Sequence, residues 1–319
     1  MAEFPSALSA ALEALTARQD AARLERDARA VSEAYRTRTG TGSRLLTKES
    51  EAVAYAAARM PATYAAAQAA LAQALAAADV TPRTLLDCGA GTGAATWAAD
   101  GLLSLSQVTC LEREAAMRGV GQALMRAGGE ALRSARWAEA DLTAPAPLPR
   151  ADLVIEGYML GELAEGERLA VARRLWDASA QLLLLIEPGT PQGFANLAAV
   201  RRALVEAGAQ VAAPCPAGSA QCPMAAGDWC HFAVRVQRTR LHKALKGGQA
   251  PYEDEKFCYL ALTRQHAQPC AARVLRHPLI APGRITLALC EGGERRERVV
   301  TKKDPLWKRA RKIGAGDGI

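Results

Sequence analysis

Residues 84–100 constrain the fold most, because an apolar run, a glycine-rich loop and a helical stretch follow one another there. The run TLLD ends at Asp87 and continues into CGAGTG, which places Gly89, Gly91 and Gly93 at alternate positions. Glycines let the backbone approach a ligand closely, and the start of the next helix offers free N–H groups. This segment predicts a strand, a nucleotide-binding loop and a helix of an α/β protein.

The spacing of these glycines separates two kinds of nucleotide site. Dinucleotide-binding loops have the pattern G-x-G-x-x-G, whereas here the third glycine comes one residue early and Ala94 stands at the dinucleotide position. The segment instead resembles motif I of class I S-adenosylmethionine-dependent methyltransferases. The resemblance implies that Asp87 meets the amino-acid end of the ligand and that the three glycines shape the loop beneath it.

Two further acids stand where a nucleoside could be held. Glu112 follows the next apolar run, 25 residues after Asp87, and a carboxylate at that strand end can accept hydrogen bonds from both ribose hydroxyls. Asp141 follows a third run, where this methyltransferase class presents an acid to the adenine amino group. The alternative for each acid is a solvated strand end without a ligand.

No catalytic residue is evident after the fourth predicted strand. The segment DLVIEGYMLGEL lacks the Asn/Asp-Pro-Pro-aromatic motif with which amino-methylating enzymes hold a target nitrogen. Glu156, Tyr158 and Glu162 stand near the expected ligand without a defined acid or base role. Strand-end and helix-cap roles are the favoured interpretation of these three residues.

The rest of the sequence predicts a helical N-terminal region and a larger domain of strands and helices. Residues 1–82 are Ala-rich and helical in pattern, whereas residues 83–319 alternate short apolar runs with helical stretches. Such alternation is typical of a parallel sheet covered by helices on both faces. We expect a Rossmann-like, seven-stranded class I methyltransferase sheet. Its predicted strands are 84–87, 107–112, 136–138, 153–156, 182–187 and an antiparallel pair at 256–263 and 284–289.

A cysteine-rich loop at 211–233 interrupts this pattern. Cys215, Cys222 and Cys230 are near enough in sequence for three thiols of a Gly- and Pro-rich loop to converge on one metal centre. Cys290 is the favoured fourth ligand and Cys270 the alternative. The wide, proline-flanked spacing favours a [4Fe–4S] cluster over zinc. A different interpretation makes Cys215 a nucleophile in pyrimidine methylation.

Several segments together resemble one protein family. They are AYAAARMPATYAA, LLDCGAGTGAATWAA, LLIEPGTPQGF, the cysteine block, YEDEKFCYLALTR and KRARKIGAGDG. The chain resembles the methyltransferase-like assembly factors of the mitochondrial small ribosomal subunit and their bacterial relatives. The resemblance implies association with small-subunit rRNA in a precursor particle. It also implies a [4Fe–4S] cluster held by Cys215, Cys222, Cys230 and Cys290, with methyl transfer to rRNA as a possible activity.

The charge distribution agrees with a polyanionic partner. Residues 1–230 hold 21 Lys and Arg against 25 Asp and Glu, whereas residues 231–319 hold 19 against 8. Two basic segments, 234–248 and the tail within 294–319, account for most of this excess, and such clusters bind phosphates largely without regard to sequence. The candidate RNA-binding residues are Arg235, Arg238, Arg240, Lys243, Lys246, Arg295, Arg296, Lys302, Lys303, Lys308, Arg309, Arg311 and Lys312.

The N-terminal sequence predicts a cytoplasmic protein. MAEFPSALSAALEAL carries Glu3 and Glu13 without a basic start, which is unlike a secretory signal or an Arg-rich transit peptide. The longest uncharged apolar run, 181–186, is far shorter than the roughly 20 residues of a membrane span. We therefore expect no membrane association, and the sequence makes no prediction of oligomeric state.

Overall fold

The computed structural model describes most of the chain. The described residues are 3–37, 46, 48–216, 218, 222, 224, 227–238, 240–246 and 250–319, except the side chains of residues 32, 34–37, 240, 244 and 246. Within these ranges, every helix is too short or too polar to cross a lipid bilayer.

Three helices precede the sheet: α1 (Ser6–Thr16), α2 (Ala21–Thr37) and α3 (Glu49–Ala77). The chain turns between α1 and α2, where Asp20 accepts a hydrogen bond from the Arg23 N–H at 2.8 Å and so caps the start of α2. Most residues of α3 are buried, and most of these are alanines, whose small side chains let its backbone lie close to the sheet.

Five parallel strands form the first part of the main sheet, in the order β3-β2-β1-β4-β5. They are β1 (Thr84–Cys88), β2 (Gln107–Leu111), β3 (Arg136–Ala138), β4 (Ala151–Gly157) and β5 (Ser179–Pro188). The helices between and after them are α4 (Ala94–Asp100), α5 (Ala115–Met125), α6 (Glu130–Arg133), a 3₁₀ turn (Leu160–Glu162), α7 (Glu165–Ala178) and α8 (Pro191–Glu206).

Antiparallel strands complete the main sheet beyond β5. Strand β8 (Tyr252–Thr263) pairs along one side with β5, and its other side is shared by β6 (Gln210–Ala213) and β7 (Phe232–Gln237). The α/β mixed sheet expected from the sequence is therefore confirmed. The expected count of seven strands is wrong, because β8 is 12 residues long and has room for two successive partners, which gives eight.

The predicted strand at 284–289 lies in a second sheet, so its assignment to the main sheet is wrong. This sheet contains β9 (Ala272–Val274), β10 (Leu279–Ala281), β11 (Arg284–Glu291) and β12 (Glu294–Thr301). Its strands join through short turns, which favour pairing with one another over return to the main sheet. Two short helices, α9 (Arg240–Lys246) and α10 (Trp307–Ala310), lie outside the sheets.

The segment expected as a basic tail is folded against the second sheet. It contributes β12 and α10, and the chain then returns to β9. There the Ile319 N–H donates to the Ala272 carbonyl at 2.8 Å, and the Ala272 N–H donates to the Ile319 carbonyl at 3.2 Å. The basic side chains of this segment are thus presented by a packed subdomain.

The core lies on both faces of the main sheet. Along β5, Leu182, Leu184 and Ile186 belong to the apolar cluster that contains α3, whereas Leu183 and Leu185 belong to the cluster that contains α7 and α8. All five side chains are at most 1% exposed. Because the parallel strands are buried on both faces, only the loops at their ends are available to a ligand.

Candidate cofactor and metal sites

The glycine-rich loop turns sharply at the carboxyl end of β1. The N–H groups of Gly89 and Ala90 both donate to the Leu111 carbonyl, at 2.9 and 3.0 Å. Gly89 and Gly91 have left-handed backbones, with φ of +72° and +56°. A Cβ atom on Gly89 would lie 3.1 Å from the Cγ atom of Met159. This loop therefore requires glycine for its conformation and for its close packing.

Glu112 is fixed beside this loop. Its Oε2 accepts a hydrogen bond from the Gly91 N–H at 2.9 Å, and its Oε1 accepts one from the Glu114 N–H at 2.8 Å. Each carboxylate oxygen has a second lone pair, so Glu112 can still accept from hydroxyl groups. Gly89, Gly91, Glu112 and Asp141 together line a cleft of about 760 Å³ at the carboxyl edge of the sheet.

Asp87 lies under the loop and is buried. Its Oδ2 accepts a hydrogen bond from the Thr96 hydroxyl at 2.6 Å, and burial raises the pKa of its carboxyl to about 6. Asp87 lines an adjoining cavity of about 450 Å³, whose wall also includes Gly89 and Gly91. The two cavities share these glycines, which places Asp87 and Glu112 on opposite sides of one loop.

Asp141 and Gly93, the other two predicted cofactor-binding residues, differ in whether they line the cleft. Asp141 is exposed, and its Oδ1 accepts from the N–H and hydroxyl of Thr143 at 2.9 and 2.7 Å. Gly93 lines neither of these cavities; it has φ of +86° and precedes α4 as its N-cap. A Cβ atom on Gly93 would lie 2.5 Å from the Cε atom of Met125. Gly93 therefore serves the packing of α4 against α5.

The loop after β4 connects the cofactor cleft to the N-terminal helices. Tyr158 has φ of +66°, a strained conformation for a side-chain-bearing residue. Its hydroxyl donates to Glu255 Oε1 at 3.2 Å, and Glu255 pairs with Arg59 of α3 at 3.0 Å. Tyr158 and Glu162 line both the cofactor cleft and a larger open cleft of about 2560 Å³. No sequence pattern indicated the Arg59–Glu255 pair.

Three acids near this loop are buried or half-buried. Glu156 is fully buried; its Oε1 accepts from the Met159 and Leu160 N–H groups at 2.7 and 3.0 Å, and its Oε2 has no hydrogen-bond partner among the described residues. Burial, and secondarily the Glu187 charge, raise the pKa of Glu156 well above its ordinary value. Burial likewise raises the pKa of Glu162 to about 8. These carboxyls therefore favour the protonated state near neutral pH.

Three of the four predicted metal ligands line one small cavity. They are Cys215, Cys222 and Cys230, and the cavity lies between α8 and the main sheet. Cys222 and Cys230 also pack against an apolar cluster that contains Cys290 of β11. Among the described side chains, no three of His, Cys, Asp or Glu lie close enough to hold an ion as they are placed. The metal centre therefore stays a prediction, although its four thiols share one region.

Cys270, the alternative fourth ligand, lies elsewhere. It lines a groove formed with Gln73, Arg273 and the C-terminal residue Ile319. This groove does not include the other predicted ligands. The position of Cys290 against Cys222 and Cys230 thus favours Cys290 over Cys270.

A buried arginine contacts the cysteine cavity and was missed in the sequence. Arg201 of α8 donates from Nη1 to the Cys215 Sγ at 2.9 Å and is 4% exposed. It lies four residues after Leu197 and three before Leu204, on the buried face of the helix. An arginine at an apolar position of a helical repeat is a sequence signal for a buried polar partner.

The first basic segment is partly neutralised by acids of β8. Arg235 pairs with Asp254 at 2.8 Å, and its guanidinium lies 3.9 Å from the ring centre of Tyr252. Arg238 is only 15% exposed in its side chain and pairs with Glu253 at 2.9 Å. The half-buried Lys243 lies on α9, and the side chains of Arg240 and Lys246 lie outside the described residues.

The second basic segment presents more exposed charge. Arg295 pairs with Asp228 at 3.0 Å, and Arg296 pairs with Glu294 at 2.8 Å. The other predicted RNA-binding residues of this segment are exposed and lie on the turn after β12 or on and after α10. They are Lys302, Lys303, Lys308, Arg309, Arg311 and Lys312.

Solved methyltransferase structures resemble this chain only weakly. The plantazolicin methyltransferase BpumL in complex with SAH is 10% identical, with 77% of this chain and 98% of that chain covered and a TM-score of 0.44. The magnesium protoporphyrin IX methyltransferase ChlM from Synechocystis, with bound SAM, is 14% identical, with 75% and 97% covered and a TM-score of 0.38. At these scores the fold rests on the strand order described above.

Sequence comparisons are more informative. The human ribosome assembly protein METTL17, mitochondrial, is 28% identical over 260 residues, which are 74% of this chain. The chain spans 55% of the length of that relative. The family model of the mitochondrial small ribosomal subunit protein Rsm22 matches residues 49–319, which include the glycine loop, all four predicted metal ligands and both basic segments. The chain therefore belongs to the family of the mitochondrial small ribosomal subunit protein Rsm22.

Proposed function

We propose that this chain is an assembly factor of the small ribosomal subunit that binds S-adenosylmethionine, holds a four-cysteine [4Fe–4S] cluster and contacts rRNA of a precursor particle. The cleft lined by Gly89, Gly91, Glu112 and Asp141 is the observation that carries the proposal. Family membership supports the particle as partner, because the match extends from α3 to the C-terminal residue.

The residues of the cleft fit S-adenosylmethionine. Gly89 and Gly91 line the cleft without side chains of their own, so a ligand can lie close to the loop backbone. Glu112 would accept hydrogen bonds from the ribose hydroxyls, and Asp141 would face the adenine. Asp87 would contact the amino-acid end of S-adenosylmethionine from beneath the loop, in part by way of a bridging water.

The donor set of the cysteine cavity fits an iron–sulfur cluster. Cys215, Cys222, Cys230 and Cys290 supply four thiols and no carboxylate, which suits soft iron–sulfur chemistry. Four cysteine ligands saturate the cluster, so its role would be structural. It would tie the loop after β6 to β11 and thereby fix the second sheet, with its basic surface, against the methyltransferase-like sheet.

Both basic segments would contact the rRNA backbone. The exposed lysines and arginines around Lys302 and Lys308 supply the stronger electrostatic attraction, because they carry no ion pair among the described residues. The segment around Arg235 adds an exposed aromatic ring, Tyr252, beneath its guanidinium.

Crosslinking in cells tests the partner. We expect sequencing of the crosslinked RNA to recover small-subunit rRNA, and a deletion strain to accumulate immature small subunits. Recovery of unrelated RNA together with normal subunit maturation would contradict the assembly role. Iron, sulfide and zinc analysis after anaerobic purification tests the metal. A colourless protein with one zinc per chain would contradict the cluster and indicate a zinc-bound RNA-binding module instead.

Methyl transfer to an RNA base or a small molecule is the second candidate function. The larger cleft favours it, because it adjoins the cofactor cleft at Tyr158 and Glu162 and leaves room for an acceptor. Incorporation of labelled methyl groups into small-subunit particles, lost in Gly91→Arg, would establish this activity. Unchanged rRNA modification in a deletion strain that accumulates immature subunits would exclude rRNA as the acceptor.

A further inference from the structure

We propose that Arg201 is a positioning residue of the metal centre, which donates a hydrogen bond to the ligating sulfur of Cys215 and balances the negative charge of the bound group. This inference rests on the proposed metal centre. Its basis is the 2.9 Å contact between Arg201 Nη1 and Cys215 Sγ on the wall of the cysteine cavity.

The position of Arg201 on α8 is unusual for an arginine. Leu197, Val200 and Leu204 bury the same face of the helix, and Arg201 among them is 4% exposed. Burying a cation costs several kcal/mol unless it meets an anion or strong acceptors. A neutral thiol is a weak acceptor, whereas a metal-bound thiolate is an anionic one. Ligation of a metal by Cys215 would therefore strengthen this hydrogen bond and stabilise the buried guanidinium beside it.

A second buried guanidinium holds the same segment of chain. Arg273 of β9 is 2% exposed and donates from Nε to the Pro214 carbonyl at 2.7 Å. Its Nη1 donates to the Gln73 Oε1 and to the Gly316 carbonyl. These three acceptors are uncharged, so the positive charge of Arg273 is not neutralised by them. Both arginines thus place positive charge near Cys215.

This arrangement has a measurable electrostatic consequence. A cluster ligated by four thiolates carries net negative charge, and each one-electron reduction adds more. Hydrogen bonds to the sulfurs and nearby positive charge stabilise the reduced form and raise the reduction potential. Removal of Arg201 should therefore lower the potential and make the cluster more easily lost to oxygen.

The test compares variants of the full chain purified without oxygen. Arg201→Met removes the charge and the hydrogen bond, and Arg201→Lys keeps only the charge. Arg202→Met is the matched control, because Arg202 is the next residue on α8 and is exposed. The measurements are iron and sulfide content, a redox titration followed by electron paramagnetic resonance, and the rate of bleaching in air.

We expect the potential to fall in Arg201→Met, to fall less in Arg201→Lys and to stay unchanged in Arg202→Met. Bleaching in air should be several-fold faster in Arg201→Met. Wild-type potential and bleaching in Arg201→Met would overturn the inference while leaving the cluster in place. If Arg201→Met does not fold, a wild-type potential in Arg201→Lys overturns it equally.

The metal content of the wild-type chain separates this inference from the proposed function. A chain that holds zinc defeats the iron–sulfur cluster, and the inference is then tested by the rate of zinc loss to a chelator. Loss should be several-fold faster in Arg201→Met than in Arg202→Met, and equal rates overturn the role of Arg201. A wild-type chain that holds no metal overturns both.

Discussion

The cofactor cleft and the cysteine cavity differ in how the chain assembles them. The predicted cofactor-binding residues of the cleft lie within residues 87–141, at the ends of adjacent parallel strands, and backbone hydrogen bonds hold Glu112 and the glycine loop in place. The predicted metal ligands come from the loop after β6 and from β11 of a second sheet, and among the described side chains no three of them surround one point. A site held by backbone hydrogen bonds is formed before its ligand binds. A site whose ligating residues come from separate elements reaches its final arrangement only when the ligand binds.

Loss of the fourth cysteine ligand should have the largest effect. We expect Cys290→Ser to lose its iron almost completely, because a serine oxygen is a poor ligand for an iron–sulfur cluster. Cys270→Ser is the matched control and should retain wild-type iron, since Cys270 lines a different groove. Iron and sulfide content per chain measures both. The reverse result, with iron lost only in Cys270→Ser, would show that Cys290 is not a ligand.

A substitution in the glycine loop should act on the cleft alone. Arginine at Gly91 must adopt φ of +56° and would project into the cleft, so we expect S-adenosylmethionine to bind about 100-fold more weakly, from strain of roughly 1–3 kcal/mol and lost space. Gly119→Arg is the control, because Gly119 is exposed on α5 and a Cβ there meets no atom within 4 Å. Isothermal titration calorimetry measures the affinity.

The same variant tests whether the two sites are independent. Gly91→Arg should keep its iron, because the glycine loop and the cysteine cavity have no lining residue in common. If iron is lost together with S-adenosylmethionine binding while Gly119→Arg keeps both, the two sites depend on each other. The contrast between a preformed and a ligand-completed site would then have to be abandoned.

The buried acid at the end of β4 makes the stability of the fold depend on pH. Burial raises the pKa of Glu156 in the folded chain, so its contribution to stability is full below the unfolded pKa of about 4.3 and is lost as the pH rises through the folded value. Glu156→Gln keeps an oxygen for the Met159 and Leu160 N–H groups and has no charge to bury. We expect the variant to be more stable than wild type at pH 8 by about 1–3 kcal/mol.

Urea unfolding between pH 4 and pH 8 measures this effect. The difference in free energy of unfolding between Glu156→Gln and wild type should grow with pH. A difference that stays constant over this range would mean that Glu156 does not titrate with a raised pKa. A difference that grows toward low pH would contradict the proposed direction of the shift.

The sequence predicted the cleft better than the cysteine cavity for a physical reason. The strands at 84–87, 107–112 and 136–138 were found within one residue of β1, β2 and β3, because a parallel strand buried on both faces is a continuous apolar run. Gly89, Gly91 and Glu112 then follow from their positions at strand ends, where the topology brings them together.

Long-range pairing explains what the sequence did not predict. Strand β7 lies at the edge of the main sheet and carries the polar residues Arg235 and Gln237, so its apolar pattern is weak. It pairs only with the first half of β8. The predicted strand at 284–289 was assigned to the main sheet because β11 has the same alternating pattern as any half-buried strand. Arg201 was overlooked because its partner, Cys215, lies on a different element and only the fold brings them together.

The smallest expected effect is on RNA affinity. It distinguishes exposed basic residues from basic residues held in ion pairs. Lys302→Ala with Lys303→Ala removes two exposed charges, and we expect rRNA affinity to fall a few-fold, with the slope of log affinity against log salt shallower by about 1–2. Arg238→Ala instead removes the ion pair of Arg238 with the partly buried Glu253 at 2.9 Å, which should lower the melting temperature more than the RNA affinity. Filter binding at several salt concentrations, beside thermal unfolding, measures both. A stronger loss of RNA binding in Arg238→Ala at unchanged melting temperature would place the RNA on β7 and the open cleft rather than on the second sheet.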